Sequence, residues 1–250
     1  MQIAKAIILV SFALVLALPS EVRAAEEEPE VHFALLKYGS GDKWNPRPNG
    51  LSRLAWEVRK RTSIAIDMMV KSVSPHDDRL FAYPMLIWQG EEHFAPLSSQ
   101  AVYNLSRYLN LGGTILVDIS SGVVDGGFHQ AIKREFARIL PRVTFKRIPL
   151  DHVLYKTFYL IDRHGGRVNA QAYLEGLYIR ERLAVILSAN DLAGAISRDQ
   201  FGGWEYNVGS GGKTAREMTF RLGINILMYA LCLDYKEDQV HIPFILKRRR

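Results

Sequence analysis

The chain is predicted to fold as an α/β domain around a mostly parallel sheet, and three features of the sequence predict it. Residues 80–121 alternate a strand, an amphipathic helix and a second strand, the pattern of a parallel crossover unit. The two strand runs, 85–88 and 114–117, are continuously apolar and bounded by Pro or Gly, as strands covered on both faces are. The 250 residues are 48% apolar and contain neither a Pro/Gly/Ser linker nor an internal repeat, so one sizeable core can form.

Taken in order, residues 32–38 are expected to form the first strand, 51–61 a helix with Leu51, Leu54, Ala55 and Val58 inward, and 64–68 a short second strand. In the helix of the crossover unit, Leu97, Ala101, Leu105, Tyr108 and Leu109 fall near helical spacing. Ser98 or Ser99 caps its start and Gly112-Gly113 stop it. A further helix over 128–140 carries Phe128, Ile132, Phe136 and Leu140 on one stripe, and 143–148 reads as a strand. Residues 177–179 and 183–188 read as a hairpin around Arg180-Glu181-Arg182. The last helix, 214–233, ends in an apolar run that implies burial on most sides.

In a parallel sheet the ligand site lies beyond the carboxyl ends of the strands, so Asp118 and the loop after Trp88 face any cleft. Residues 38–50 form a loop too long and too aromatic for a plain connection, and 202–213 form a Gly-rich aromatic loop able to close over the cleft. The candidate cleft residues are Asp42, Trp44, Trp88, His93, Asp118, His152, Asn190 and Trp204. Trp44, Trp88, Trp204 and Tyr206 offer rings to stack on a sugar or clamp a peptide. Asp118 and His152 are the pair that a hydrolase would use, with His129 able to join them, although Asp118 also reads as a hydrogen-bonded loop anchor.

Other chemistry finds little support. Cys232, the one cysteine, lies on the apolar end of the last helix, where a thiol serves as a small hydrophobe rather than a nucleophile. No Gly-x-Ser-x-Gly elbow surrounds Ser120 or Ser121, no His-Glu-x-x-His pair occurs, and no Gly-x-Gly-x-x-Gly or Walker loop is present. The expectation is a non-catalytic binding or scaffold domain without cofactor or metal, with a hydrolase using Asp118 and His152 as the alternative.

Lys5, the apolar run 6–18 and Val22-Arg23-Ala24 read as a secretory signal peptide cleaved after Ala24, too short in its apolar part to span a bilayer. The expected organisation is a signal at 1–24, an acidic arm at 25–30, one α/β domain at 31–246 and a basic tail at 247–250. No membrane span is expected after cleavage, and the product would be periplasmic or secreted. One cysteine allows no disulfide within the chain. The net charge of +6 is spread over ordinary polar helix positions rather than gathered on a face with interleaved aromatics, so no nucleic-acid partner is expected. An envelope protein partner or a glycan-like ligand is expected instead.

Five motifs add a resemblance. Tyr38-Gly-Ser-Gly-Asp-Lys-Trp44, the Trp88-Gln-Gly turn, Gly112-Gly-Thr-Ile-Leu-Val-Asp118, Asp151-His-Val-Leu with Phe158-Tyr159, and Ser188-Ala-Asn-Asp191 together resemble the bacterial family known as domain of unknown function 4159, over about residues 31–233. That family is similar to class I glutamine amidotransferase-like domains. The resemblance implies a flavodoxin-like three-layer α/β/α sandwich and a role at the cell envelope, because longer relatives carry the domain behind membrane-anchored segments. It implies no activity.

Overall fold

The computed structural model describes residues 31–39 and 41–232. The expected signal, acidic arm and basic tail, and the last part of the expected domain, lie outside the described residues. A seven-stranded sheet runs β2-β1-β3-β4-β7-β6-β5. Its strands are β1 (Phe33–Leu36), β2 (Lys71–Val73), β3 (Met85–Gly90), β4 (Thr114–Ile119), β5 (Lys146–Arg147), β6 (Glu175–Ile179) and β7 (Arg182–Ser188). β2, β1, β3, β4 and β7 are mutually parallel, while β6 and β5 run antiparallel at one edge. Among the described residues five α-helices complete it: α1 (Gly50–Arg61), α2 (Ser99–Asn110), α3 (Gly127–Ile139), α4 (Leu192–Ile196) and α5 (Gly212–Leu231).

The two-residue period of the strands divides the core. Phe33, Leu35, Met85, Ile87, Leu116 and Ile186 pack under Leu51, Leu54, Ile196, Phe220 and Leu227 of α1, α4 and α5. Ala34, Leu36, Leu86, Trp88, Ile115, Val117, Val185 and Leu187 pack under Ala101, Leu105, Phe128, Ile132 and Phe136 of α2 and α3. Helices therefore cover both faces, which explains why the central strands read as unbroken apolar runs. The crossover unit forms as predicted: Met85 to Gly90 pair in parallel with Thr114 to Ile119, and Ser98 caps α2 by accepting the Ala101 N–H at 3.1 Å.

Several expected elements differ. Residues 64–68 do not form a strand; only Ile66 bridges to Val31, and the second strand is β2, farther along. Thr62 Oγ1 takes the Ile64 N–H and Asp67 Oδ1 takes the Met69 N–H, and such local bonds compete with a ladder. The Trp88-Gln-Gly segment is strand rather than turn, since β3 continues to Gly90. The strand expected at 143–148 shrinks to Lys146–Arg147, with Phe145 turned onto Phe136 in an edge-to-face contact at 5.7 Å. Cys232 is half-buried at the end of α5 rather than inside the core.

β1 hands the chain to β2 on one side, and the next crossover places β3 on the other side of β1. The connections thus diverge at the carboxyl ends of β1 and β3, the usual place for a crevice. Among the described residues no helix is long and apolar enough to cross a membrane.

Candidate functional site

At the carboxyl ends of β4 and β7, four charged side chains meet in the interior. Asp118 shares the face of Leu116, which α4 covers, and it is 1% exposed. Its two carboxylate oxygens accept the N–H groups of Leu192 and Ala193, each at 2.8 Å, so the whole group is spent on the first turn of α4. Asp191 adopts a left-handed conformation (φ 51°, ψ 66°), which Asp tolerates better than most residues, and accepts the Gly194 N–H at 3.0 Å. A Cβ on Gly194 would come within 2.4 Å of that carboxylate, so the close turn needs glycine.

Two arginines neutralise this pair. Arg47, from the loop between β1 and α1, donates to both oxygens of Asp191 at 3.0–3.2 Å, to the Ser120 carbonyl at 2.8 Å, and pairs with Glu91 at 2.7 Å. The Tyr206 ring lies against its guanidinium, 4.6 Å from ring centre to Cζ. Arg167 adds a further ion pair to Asp191 and reaches the Ser120 carbonyl at 3.4 Å. Burial opposes the Arg47 charge, but the hydrogen bonds and negative charges of Asp191 and Glu91 outweigh it and hold the guanidinium above its ordinary pKa. Burial, and then the charge of Asp191, push the Asp118 carboxyl up to about 7 against the two N–H groups and Arg47. Arg47 thereby ties together the loops after β1, β3, β4 and β7 and closes the crevice with protein groups.

An open space lies beside this knot. A cavity of about 390 Å³ is bordered by the segment 162–172 on one side and by Gly209–Gly211 and the start of α5 on the other. Asp162, Arg163, Arg167, Asn169, Ser210 and Thr214 give it a polar wall. Gly166 (φ +151°) presses against Asn190, and Arg167 donates its backbone N–H to the Asp191 carbonyl at 3.1 Å, so the cavity shares a wall with the buried knot. His164 also borders it, bonded to the Tyr155 hydroxyl at 2.8 Å, and burial lowers its pKa, leaving it neutral at pH 7.

The residues expected in one cleft are dispersed. His152 caps a short 3-10 turn (Val153–Lys156) by accepting the Leu154 N–H and packs against Tyr178 and Tyr229. Tyr229 accepts the N–H of Leu183 at the start of β7, whereas Asp118 pairs with Ser188 at its end, five residues and roughly 16 Å away along the sheet. The Asp118–His152 pair is therefore not assembled. Trp88 is fully buried under Tyr38, Phe94 and Phe136, so its ring has no face for a ligand and belongs to the core.

Asn190 is buried and locked to the backbone of Gln171 through both amide atoms. Trp44 is half-buried against both apolar layers, with Lys37 5.5 Å above its ring. Asp42 and His93 are exposed, the latter bonded to Arg134 at 2.9 Å. His129 is buried, and its Nδ1 accepts the Asp125 N–H as a local anchor of the loop before α3. Trp204 is 37% exposed, with the guanidinium carbons of Arg198 and Arg216 at 3.5 and 4.1 Å from its ring centre. Ser120 is buried with its hydroxyl directed to the Asp118 carbonyl, a poor placement for a nucleophile. Arg47, Arg167 and Asp191 dominate the site, yet only Asp191 carried a signal, as the end of the Ser188-Ala-Asn-Asp191 motif.

Fold and site together define a mostly parallel α/β domain whose strand-end crevice is closed by an internal Arg–Asp knot. The chain belongs to the family described as "Domain of unknown function (DUF4159)", whose model matches residues 32–231. A search of curated proteins finds no match.

Proposed function

We propose that the chain is an exported, envelope-associated binding domain that holds a small anionic, glycan-like ligand in the cavity between the 162–172 segment and the start of α5. The observation that carries this reading is the polar wall of that cavity, with the exposed Arg163, beside its neighbour Asp162, for an anion and Asn169, Ser210 and Thr214 for hydroxyl groups. The first turn of α5 has no side-chain cap and no acidic residue, so its positive end favours a negative ligand. The apolar run and small-residue cleavage pattern of the first 24 residues support export.

A non-catalytic role is supported by how the candidate chemistry is spent. Asp118 serves α4, His152 stands at the other end of the sheet, and Cys232 ends a helix. The strand order around β1, β3 and β4 and the helices on both faces support the flavodoxin-like, glutamine amidotransferase-like sandwich, here without that family's thiol nucleophile.

The test is thermal unfolding of the chain from Ala25 onward with glucuronate, glucose 1-phosphate and neutral glucose. A ligand at a hundredfold its Kd adds about 2.7 kcal/mol, or roughly 5–11 °C for a domain of this size. The acidic sugars are expected to raise Tm and glucose is not, and the rise should vanish in Thr214→Val. Equal shifts with all three, or none with any, would remove the proposal.

A further inference from the structure

The outer side of α1, the Arg216 and Phe220 side of α5 and the turn at 198–204 share one face, away from the Thr214 and Met218 side that borders the cavity. Phe201 stands at the tip of that turn, 87% exposed. The turn is rigid: Asp199 Oδ1 accepts the N–H groups of Phe201 and Gly203 at 2.9 and 2.7 Å, its backbone closes on Gly203 and Gly202 at 3.0 Å each, and Arg198 bonds the Gly202 carbonyl at 2.5 Å. Trp204 and Trp56, 37% and 38% exposed, flank the tip and the helix. Phe220 joins them, 6.5 Å from Trp204 by ring centres and 5.8 Å from the Arg53 guanidinium, which itself covers Trp56 at 4.1 Å.

Cations outnumber carboxylates on this face, although Asp199 stands exposed in the turn itself. Glu57 is held between Arg53 and Arg61, and Glu217 between Arg61 and Arg221. Arg198, half-buried, and Arg216, buried beneath it, meet no carboxylate among the described residues and bond only backbone carbonyls. Lys60 sits exposed above Trp56 at 4.7 Å.

From this we propose that the face seats the protein on an anionic lipid bilayer, with Phe201 and the edges of both indoles at headgroup depth and Lys60 and Arg198 at lipid phosphates. The geometry favours a bilayer over a nucleic acid or a sugar. Stacking needs free ring faces, and these are covered, on Trp204 by Arg198 and Arg216 and on Trp56 by Arg53 and Lys60. A protruding Phe beside ring edges suits insertion between headgroups.

The experiment is co-sedimentation of the chain from Ala25 onward with vesicles of equal parts phosphatidylglycerol and phosphatidylcholine, against phosphatidylcholine alone. Binding is expected to the anionic vesicles only, to weaken with salt, and to shift tryptophan emission to the blue. Phe201→Ser, at a solvent-facing tip, should leave Tm unchanged and weaken binding about tenfold; Lys60→Glu should weaken it further. Equal binding to neutral vesicles or no binding at all would overturn the proposal. So would binding that survives Phe201→Ser and Lys60→Glu but is lost with residues 247–250, or that a single-stranded oligonucleotide displaces stoichiometrically.

Discussion

Two neighbouring regions at the carboxyl end of the sheet use similar residues for opposite ends. Asp118 and Asp191 are both buried and answered by protein, Asp191 by two guanidiniums and Asp118 by the N–H groups of α4. Across the shared wall of Gly166 and Arg167, the polar groups of Arg163, Ser210 and Thr214 face an open cavity. The difference lies in what surrounds them. Asp118 emerges on the face covered by α4, so solvent is excluded and its polar atoms have to be matched internally, whereas the 162–172 segment lies outside the sheet, and its exposed pair Asp162–Arg163 stays open to solvent or ligand.

The strongest way to break this comparison is to remove the central cation. Arg47→Ala leaves Asp191 short of its main partner and opens the bond to the Ser120 carbonyl, and removal of one member of a buried ion pair costs about 3–5 kcal/mol. Urea unfolding should show that loss, and Arg47→Lys should not restore it, because an ammonium cannot span both Asp191 oxygens and Ser120 together. A cost under about 1 kcal/mol would mean that Arg167 alone neutralises the pair and the knot is redundant.

The next effect belongs to Asp118. Asp118→Ala strands two buried N–H groups at the start of α4, at about 2–4 kcal/mol in total. Its titration sharpens the same point. The folded pKa, near 7, lies above the unfolded value of 3.8, so Asp118 contributes most to stability below pH 4, and the contribution is lost as pH rises through 7. The stability difference between the wild type and Asp118→Asn should therefore shrink from pH 5 to pH 8. A difference that grows over that range would show that the two N–H groups and Arg47 hold the carboxylate ionised against burial.

The sheet was legible from the sequence where the physics is local. Helical stripes such as Phe128, Ile132 and Phe136, and strand runs such as 114–117, set their own elements, and the Asp118 anchor reading matches its bonds to α4. The site was less legible because it depends on contacts across the chain. Arg47 and Asp191 are separated by 144 positions, and Arg47 sits in a loop between two prolines with no periodicity to mark it as buried. Asp118 and His152 read as a pair because both flank strand-like runs, but 143–148 contributes only two residues to an antiparallel edge, which removed the parallel geometry the pairing assumed. Trp88 read as a ligand platform because its turn was expected one residue later; continuation of β3 to Gly90 buried it.

The smallest expected effect on stability is the one that separates the two regions most cleanly. Arg163 is exposed and, among the described residues, paired only with the adjacent Asp162, at 3.1 Å, so Arg163→Ala should leave Tm in the absence of ligand where it is. If the cavity is the binding site, the same substitution should abolish the thermal shift given by an acidic sugar, since it removes a cation from the wall while the Arg47–Asp191 knot stays intact. A shift that persists in Arg163→Ala and disappears in a variant of the knot would move the ligand to the carboxyl ends of β4 and β7 and make Arg47 a displaceable plug rather than a permanent one.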